Sequence, residues 1–350
     1  MVCRESRPAV LSARVLENRR VAPGCYRMRI ENEHVAHHAL PGQFVHVRVS
    51  GPSLDPLLRR PFSVCVAEPE GGEFLILYQV VGTGTRLLSA LGPGDALDVL
   101  GPLGTGFEMP RPSAGREGHG DSAEGLYEGD RDSGGGTAAP TRPRARRVAL
   151  VAGGLGIAPL VMLGHALRRA GHGFVFIVGA RNGEVLAGLL DLVPAPSCEG
   201  LAAPGSPPRR DPPGLEAAVL SAGATVGGRD RGPHDAGSTC DVRVVTEDGT
   251  MGRRGLATDV LRDVLAAGGI TRVYASGPAG MLREVARLCE ASGVPAQVSL
   301  EERMACGLGA CLGCAVRAKG EAGSRSPSYL RVCADGPVFW VKEVDLDAPG

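Results

Sequence analysis

Cysteines 306, 311 and 314 form a C-x₄-C-x₂-C run, Cys306-Gly-Leu-Gly-Ala-Cys311-Leu-Gly-Cys314, and a fourth, Cys333, follows with eighteen residues between it and Cys314. Thiolates bind soft metals, and four at such spacing hold zinc or an iron–sulfur cluster. A two-iron cluster needs a loop that curls round irons and sulfides. Gly307, Gly309 and Gly313 suit that curl, because glycine tolerates positive φ and lets N–H groups approach sulfur. Structural zinc more often shows two paired short spacings, whereas the last cysteine here has no near neighbour. The pattern predicts a [2Fe–2S] cluster on Cys306, Cys311, Cys314 and Cys333, with a zinc ion or unligated thiols as alternatives. The rest of the chain then reads as equipment for moving electrons.

A chain of 350 residues has room for two or three domains. Its formal net charge is zero, which gives no argument for nucleic acid or an anionic membrane as partner. The N-terminus has no apolar h-region, and no run of about 18 apolar residues follows, so a cytoplasmic protein without a membrane span is expected. In a long chain with no secretion signal, ligation is a better use of cysteine than disulfides. Cys3, Cys25, Cys65, Cys198, Cys240 and Cys289 are scattered and read as ordinary small residues.

Residues 8–109 carry short β-prone runs separated by Pro-Gly, Gly-Gly and Gly-Asp turns, the pattern of a small antiparallel β-barrel. Residues 110–146 are Pro, Gly, Ser, Arg and Glu with almost no large apolar side chains, and a disordered insertion is expected. From Arg147 strands alternate with helices up to residue 300, which predicts an α/β domain with a doubly wound parallel sheet. A second low-complexity insertion covers 194–238. Residues 301–345 are the small C-terminal cluster domain, entered through Glu301-Glu302-Arg303-Met304, a solvated connection. The histidines, His34, His37 and His38 among them, are given no catalytic role.

Several strings carry binding chemistry. In Leu58-Arg59-Arg60-Pro61-Phe62-Ser63, placed between barrel strands, a guanidinium offers a planar donor fork to a pyrophosphate, while Phe62 and Ser63 offer a ring and a hydroxyl to a flavin. A plain basic turn is the alternative. Val81-Gly82-Thr83-Gly84-Thr85 opens a helix and presents N–H groups and hydroxyls to a phosphate, or is only a helix cap. Gly101-Pro-Leu-Gly104-Thr-Gly106-Phe107 shapes the exit from the barrel. Gly153-Gly154-Leu155-Gly156-Ile157-Ala158-Pro159 follows a strand and opens a helix, the setting for nucleotide phosphate at strand C-termini. It is not G-x-G-x-x-G, so the usual dinucleotide fingerprint is absent. Ser276-Gly277-Pro278-Ala279-Gly280 is a second such turn. Tight strand–helix packing is the alternative for both.

The order of these strings resembles the ferredoxin–NADP⁺ reductase superfamily and, more narrowly, the family of electron-transfer subunits of class 1B dihydroorotate dehydrogenases. The resemblance covers residues 8–109, 147–193 and 240–345. It implies FAD on the barrel, held by Arg60, Pro61, Phe62 and Ser63, by Leu77, Tyr78 and Gln79, and by Gly84 and Thr85. It implies NAD as substrate over Gly153, Gly154, Gly156, Gly277 and Pro278. The implied partner is a catalytic subunit carrying FMN, two of each forming a heterotetramer, with electrons passing singly through the cluster to FAD and on to NAD⁺ as hydride. No side-chain acid or base is needed for that transfer. Other subunits of the superfamily, of ferredoxin–NADP⁺ oxidoreductase, sulfide dehydrogenase or hydrogenase type, and a zinc-stapled interaction protein are the alternatives. Three features depart from the pattern: a long gap before Cys333, Ser276 where many members carry cysteine near the nicotinamide, and the two insertions. Arg181 could face a 2′-phosphate or water, which leaves NAD against NADP open.

Overall fold

A computed structural model describes residues 9–49, 55–110, 147–193, 240–320 and 328–348. The insertions expected at 110–146 and 194–238, and the extra loop before Cys333, fall outside these residues but for their ends. Strands β1 (Ala9–Ala22), β2 (Cys25–Glu31), β3 (Phe44–Arg48), β4 (Arg60–Glu68), β5 (Glu73–Gln79) and β6 (Ala96–Leu103) close an antiparallel barrel in the order β1-β2-β5-β4-β3-β6. Side chains alternate across each strand. Met28, Ile30, Val45, Val47, Val64, Ile76 and Val99 fill the barrel. Cys65, Leu75 and Leu77, one residue out of phase, pack on the second domain instead.

The barrel shows more than the short β-prone runs of the sequence. Arg60–Ser63 is not a turn between strands but the first half of β4, because its extended backbone pairs with β3 from Val47 to Phe44. Strand β1 runs unbroken from Ala9 to Ala22, bending at irregularities near Val15–Glu17 and Arg20–Ala22. A short helix, α1 (Glu33–His38), starts where the Asn32 side chain accepts the Val35 N–H at 3.0 Å. Helix α2 (Thr83–Ser89) follows β5 and takes Thr83, Gly84 and Thr85 into its first turn.

The second sheet joins β7 (Arg147–Gly153), β8 (Phe174–Ala180), β9 (Cys240–Thr246), β10 (Arg253–Arg254), β11 (Ile270–Ser276) and β12 (Ala296–Ser299), all parallel. Helices α3 (Ala158–Arg169) and α4 (Gly183–Leu190) cover the face turned to the barrel. Helices α5 (Ala257–Ala266) and α6 (Ala279–Ser292) cover the other. Near the C-terminus, β13 (Ala315–Arg317) pairs with β14 (Tyr329–Arg331), and β15 (Val338–Trp340) adds antiparallel to β12 at the sheet edge. The chain after the cysteine loop thus returns to the nucleotide sheet, giving the strand order β10-β9-β8-β7-β11-β12-β15. No helix is long and apolar enough to cross a membrane among the described residues.

Candidate electron-transfer site

The strand order fixes where a nucleotide can sit. The chain leaves β7 toward β8, β9 and β10, then crosses back to place β11 on the other side of β7. Ligands of open α/β sheets lie at such a switch point, beyond the strand C-termini. Both glycine turns are there. A Cβ on Gly156 would lie 2.3 Å from the Ser276 carbonyl oxygen, and one on Gly153 would lie 2.8 Å from Met281 Sδ and 2.9 Å from Pro278 Cδ. Gly277, at φ +155°, presses on Gly153 in turn. Gly154, at φ +55°, has open space before it. The glycines bring the two turns together, and Gly154 stands with open space beside them. Ser276 is 1% exposed and its hydroxyl has no hydrogen-bond partner among the described residues.

On the barrel, β4 and the turn into α2 meet. Arg60 Nε would stand 3.0 Å from a Cβ on Gly84. The structure separates the two adjacent arginines. Arg59 grips Asp98 with two 2.8 Å bonds and is committed to β6. Among the described residues Arg60 is held by carbonyls, those of Leu58 at 2.6 Å and Arg59 at 3.3 Å, and its Nε lies beside the Gly84 turn. Thr85 Oγ1 accepts from the Val81 and Gly82 N–H groups at 2.9 and 3.2 Å, so its hydroxyl works as a helix cap. Phe62 tilts against the Tyr78 ring, and the Tyr78 hydroxyl donates to Asn18 Oδ1 at 2.9 Å inside the barrel. Any contribution of Tyr78 to a ligand therefore comes from its main chain. Leu77 is buried toward the second domain, and Gln79 is exposed.

The four cysteines of the motif form two pairs. Cys306 interacts with the Cys311 thiol, and Cys333 with that of Cys314. Cys314 and Cys333 are buried, Cys306 is partly so, and Cys311 is exposed. Five backbone N–H groups point at sulfur: Leu308 and Cys311 at Cys306 (both 3.4 Å), Gly313 at Cys311 (3.5 Å), Cys333 at Cys314 (3.4 Å) and Gly309 at Cys333 (3.2 Å). The Leu308 N–H, with help from the Cys311 N–H and thiol, draws the Cys306 thiol down to about 6. Burial, then the Cys314 thiol, pushes Cys333 up. No three His, Cys, Asp or Glu side chains among the described residues form a ligand set for a single ion. Two thiol pairs ringed by N–H donors suit a two-iron cluster better than one tetrahedral zinc.

The loop's curl differs in one position from the expectation. Gly307 and Gly309 take positive φ, +70° and +78°, but the third such residue is Leu312 at +59°, not Gly313. Leu312 is the one non-glycine residue of that kind among those described, a strained conformation of the sort that clusters at functional sites. Arg331 straps the loop: its Nη1 donates to the Gly309 carbonyl at 3.2 Å, while Nε and Nη2 hold Asp335 at 2.9 and 2.8 Å. Sequence reading also passed over His46 on β3. It is 0% exposed, its ring nitrogens lack hydrogen-bond partners among the described residues, and its Nδ1 would lie 2.6 Å from a Cβ on Gly307. Burial, and after it the charges of Arg59 and Arg60, push this histidine down to about 4. No local pattern announces it, since it reads as one more residue of an alternating strand.

Barrel, switch-point sheet and thiol loop together define a reductase of the ferredoxin–NADP⁺ reductase fold with an added iron–sulfur domain. A family model described as the iron-sulfur cluster binding domain of dihydroorotate dehydrogenase B matches residues 301–345. Among curated relatives, the dihydroorotate dehydrogenase B (NAD(+)) electron transfer subunit of Desulforamulus reducens is 31% identical over 94% of this chain and 96% of its own length. That of Caldanaerobacter subterraneus subsp. tengcongensis is 33% identical over 95% and 98%. Among solved structures, an NADH-dependent reduced ferredoxin–NADP oxidoreductase aligns over 95% of this chain and 90% of its own, with a TM-score of 0.64 and 24% identity. A ferredoxin NADP⁺ reductase from Neisseria gonorrhoeae aligns over 81% and 92%, at 0.50 and 13%; both likenesses concern the fold. The chain belongs to the family of dihydroorotate dehydrogenase B (NAD(+)) electron transfer subunits.

Proposed function

We propose that this chain passes electrons from a dihydroorotate dehydrogenase catalytic subunit carrying FMN to NAD⁺, in the cytoplasm and in de novo pyrimidine (UMP) synthesis. Two copies of each subunit make a heterotetramer. FAD is held on the barrel by Arg60, Pro61, Phe62 and Ser63, by the main chain of Leu77, Tyr78 and Gln79, and by the Gly84–Thr85 turn. Cys306, Cys311, Cys314 and Cys333 hold the [2Fe–2S] cluster, and Gly153, Gly154, Gly156, Gly277 and Pro278 form the NAD(H) crevice. These groups, when bound, supply one-electron and hydride chemistry between the partner and NAD⁺.

The residues contribute binding and orientation. Arg60, without a carboxylate partner among the described residues, offers its fork to phosphate oxygens while Arg59 braces the strand behind it. Backbone N–H groups around the sulfurs favour the more negative form of whatever the thiolates bind and raise a cluster's potential. The partner docks on the cluster side. Leu308, Leu312 and Tyr329, 55%, 62% and 61% exposed, are large apolar residues of the thiol loop and its neighbouring strand, where Cys311 is the exposed thiol.

The observation that carries this reading is the pairing of the four thiols inside a ring of N–H donors. Purified with its partner, the protein is expected to contain flavin and about two irons per chain, as one such cluster requires. The complex is expected to reduce NAD⁺ when given dihydroorotate. A complex loaded with flavin and iron that ignores dihydroorotate would overturn the substrate assignment.

A further inference from the structure

We propose that His46 is the polar contact between the flavin barrel and the bound cluster, its ring N–H donating to a sulfur at the Cys306 end and raising the cluster's reduction potential. This rests on the cluster assignment above and adds a residue outside the cysteine loop to it. His46 stands on β3 opposite Pro61 of β4 on one side and Leu100 of β6 on the other. Its neighbours Val45 and Val47 point into the barrel core. The His46 ring therefore leaves the barrel on the outer wall, edge-on to Phe44 at 6.3 Å, and meets the cysteine loop at Gly307.

Three observations converge on this ring. It is fully buried, both its nitrogens lack partners among the described residues, and it abuts the backbone next to a cluster cysteine. Leaving a buried polar group without a partner is costly, and such groups in native proteins call for an explanation in function or in a bound group. The charges that act on it are those of Arg59 and Arg60, both cations, and neither ring nitrogen has a carboxylate partner among the described residues. A neutral imidazole carries one N–H donor. The acceptor that would satisfy it beside Gly307 is electron-rich sulfur, a thiolate or sulfide of the cluster. Hydrogen bonds to cluster sulfur are among the determinants of its potential. Gly307 is then required twice, for its positive φ and because a Cβ there would strike the ring.

The test is a redox titration of the full chain with its partner, followed by the electron paramagnetic resonance of the reduced cluster. Iron, sulfide and flavin contents are measured first. His46→Phe keeps the ring and removes the donor, and is expected to move the cluster potential to more negative values at unchanged iron content. His46→Gln keeps a donor and is expected to recover part of that shift. An unchanged potential in His46→Phe, or equal shifts in both variants, would overturn the proposal, since packing alone would explain equal shifts. Should His46→Phe fail to load a cluster, wild-type protein labelled with ¹⁵N-histidine decides. Its reduced cluster is expected to show coupling to a histidine nitrogen, and absence of coupling rejects the contact. A wild type that takes up neither iron nor flavin overturns the proposed function as a whole. A full cluster whose potential ignores His46 overturns this inference alone.

Discussion

At Gly156 a methyl group has nowhere to go: it would sit 2.3 Å from the Ser276 carbonyl oxygen and 2.6 Å from the Gly277 nitrogen, both main-chain atoms of the neighbouring turn. At Gly307 the obstacle is of another kind. The backbone sits at φ +70°, and the nearest atom a Cβ would meet belongs to a side chain, the His46 ring. Two glycine-rich turns that look alike in composition thus use glycine differently. The nucleotide turn needs it so that two strand ends can touch. The thiol loop needs it so that the chain can curl and aim N–H groups at sulfur. The first demand is set by backbone that cannot yield, the second by a conformation and one replaceable neighbour.

The comparison can be tested from its largest effect downward. Cys311→Ser is expected to abolish the cluster while FAD stays bound, read as iron and flavin content; flavin lost along with iron would mean that loop and barrel are not separable. Gly156→Ala is expected to destabilise the protein by about 3 kcal/mol or more, because overpacking against rigid backbone finds little relief. Denaturant midpoints measure this, and a cost under about 1 kcal/mol would show that the turn yields after all.

The third test concerns pH. His46 lies at about 4 in the fold against an ordinary 6.5, so between these values the unfolded chain binds more protons than the folded one. Stability contributed by the neutral ring is complete above pH 6.5 and is lost as pH falls toward 4. The displacement corresponds to roughly 3 kcal/mol. Cluster-free protein is expected to melt progressively lower across this window, with a shallower decline in His46→Phe; parallel curves would contradict the buried, neutral ring.

Smaller effects separate conformation from contact. Gly307→Ala is expected to cost about 2 kcal/mol from its left-handed backbone and the ring together. In a His46→Ala background that cost is expected to fall to about 1 kcal/mol, the conformational part, as a double-mutant cycle would show. Gly154→Ala supplies the reference, since at φ +55° with open space around it only the conformational cost remains, again about 1 kcal/mol.

Much of this architecture is written locally. Cysteine spacing, the change from two-residue to helical periodicity at Arg147, and glycine turns between strand and helix are short-range signals, and the elements they predict are present with shifted ends. The strings Arg60–Ser63 and Gly82–Thr85 were visible too, but not which arginine stays free, nor that Thr85 caps its own helix. Those outcomes depend on Asp98 and on the path of the preceding strand, which no string of neighbouring residues contains.

The amino-acid order alone determined the kinds of elements and their succession, because each depends on residues within a turn or two of one another. Folding in three dimensions decided the rest. It set the switch point between β7 and β11, sent β15 back to the nucleotide sheet, gave Leu312 rather than Gly313 the left-handed backbone, and pressed His46 on Gly307. These are contacts between segments far apart in the chain, and they are selected by burial and packing of whole faces, a property of the assembled surface and not of any stretch of sequence.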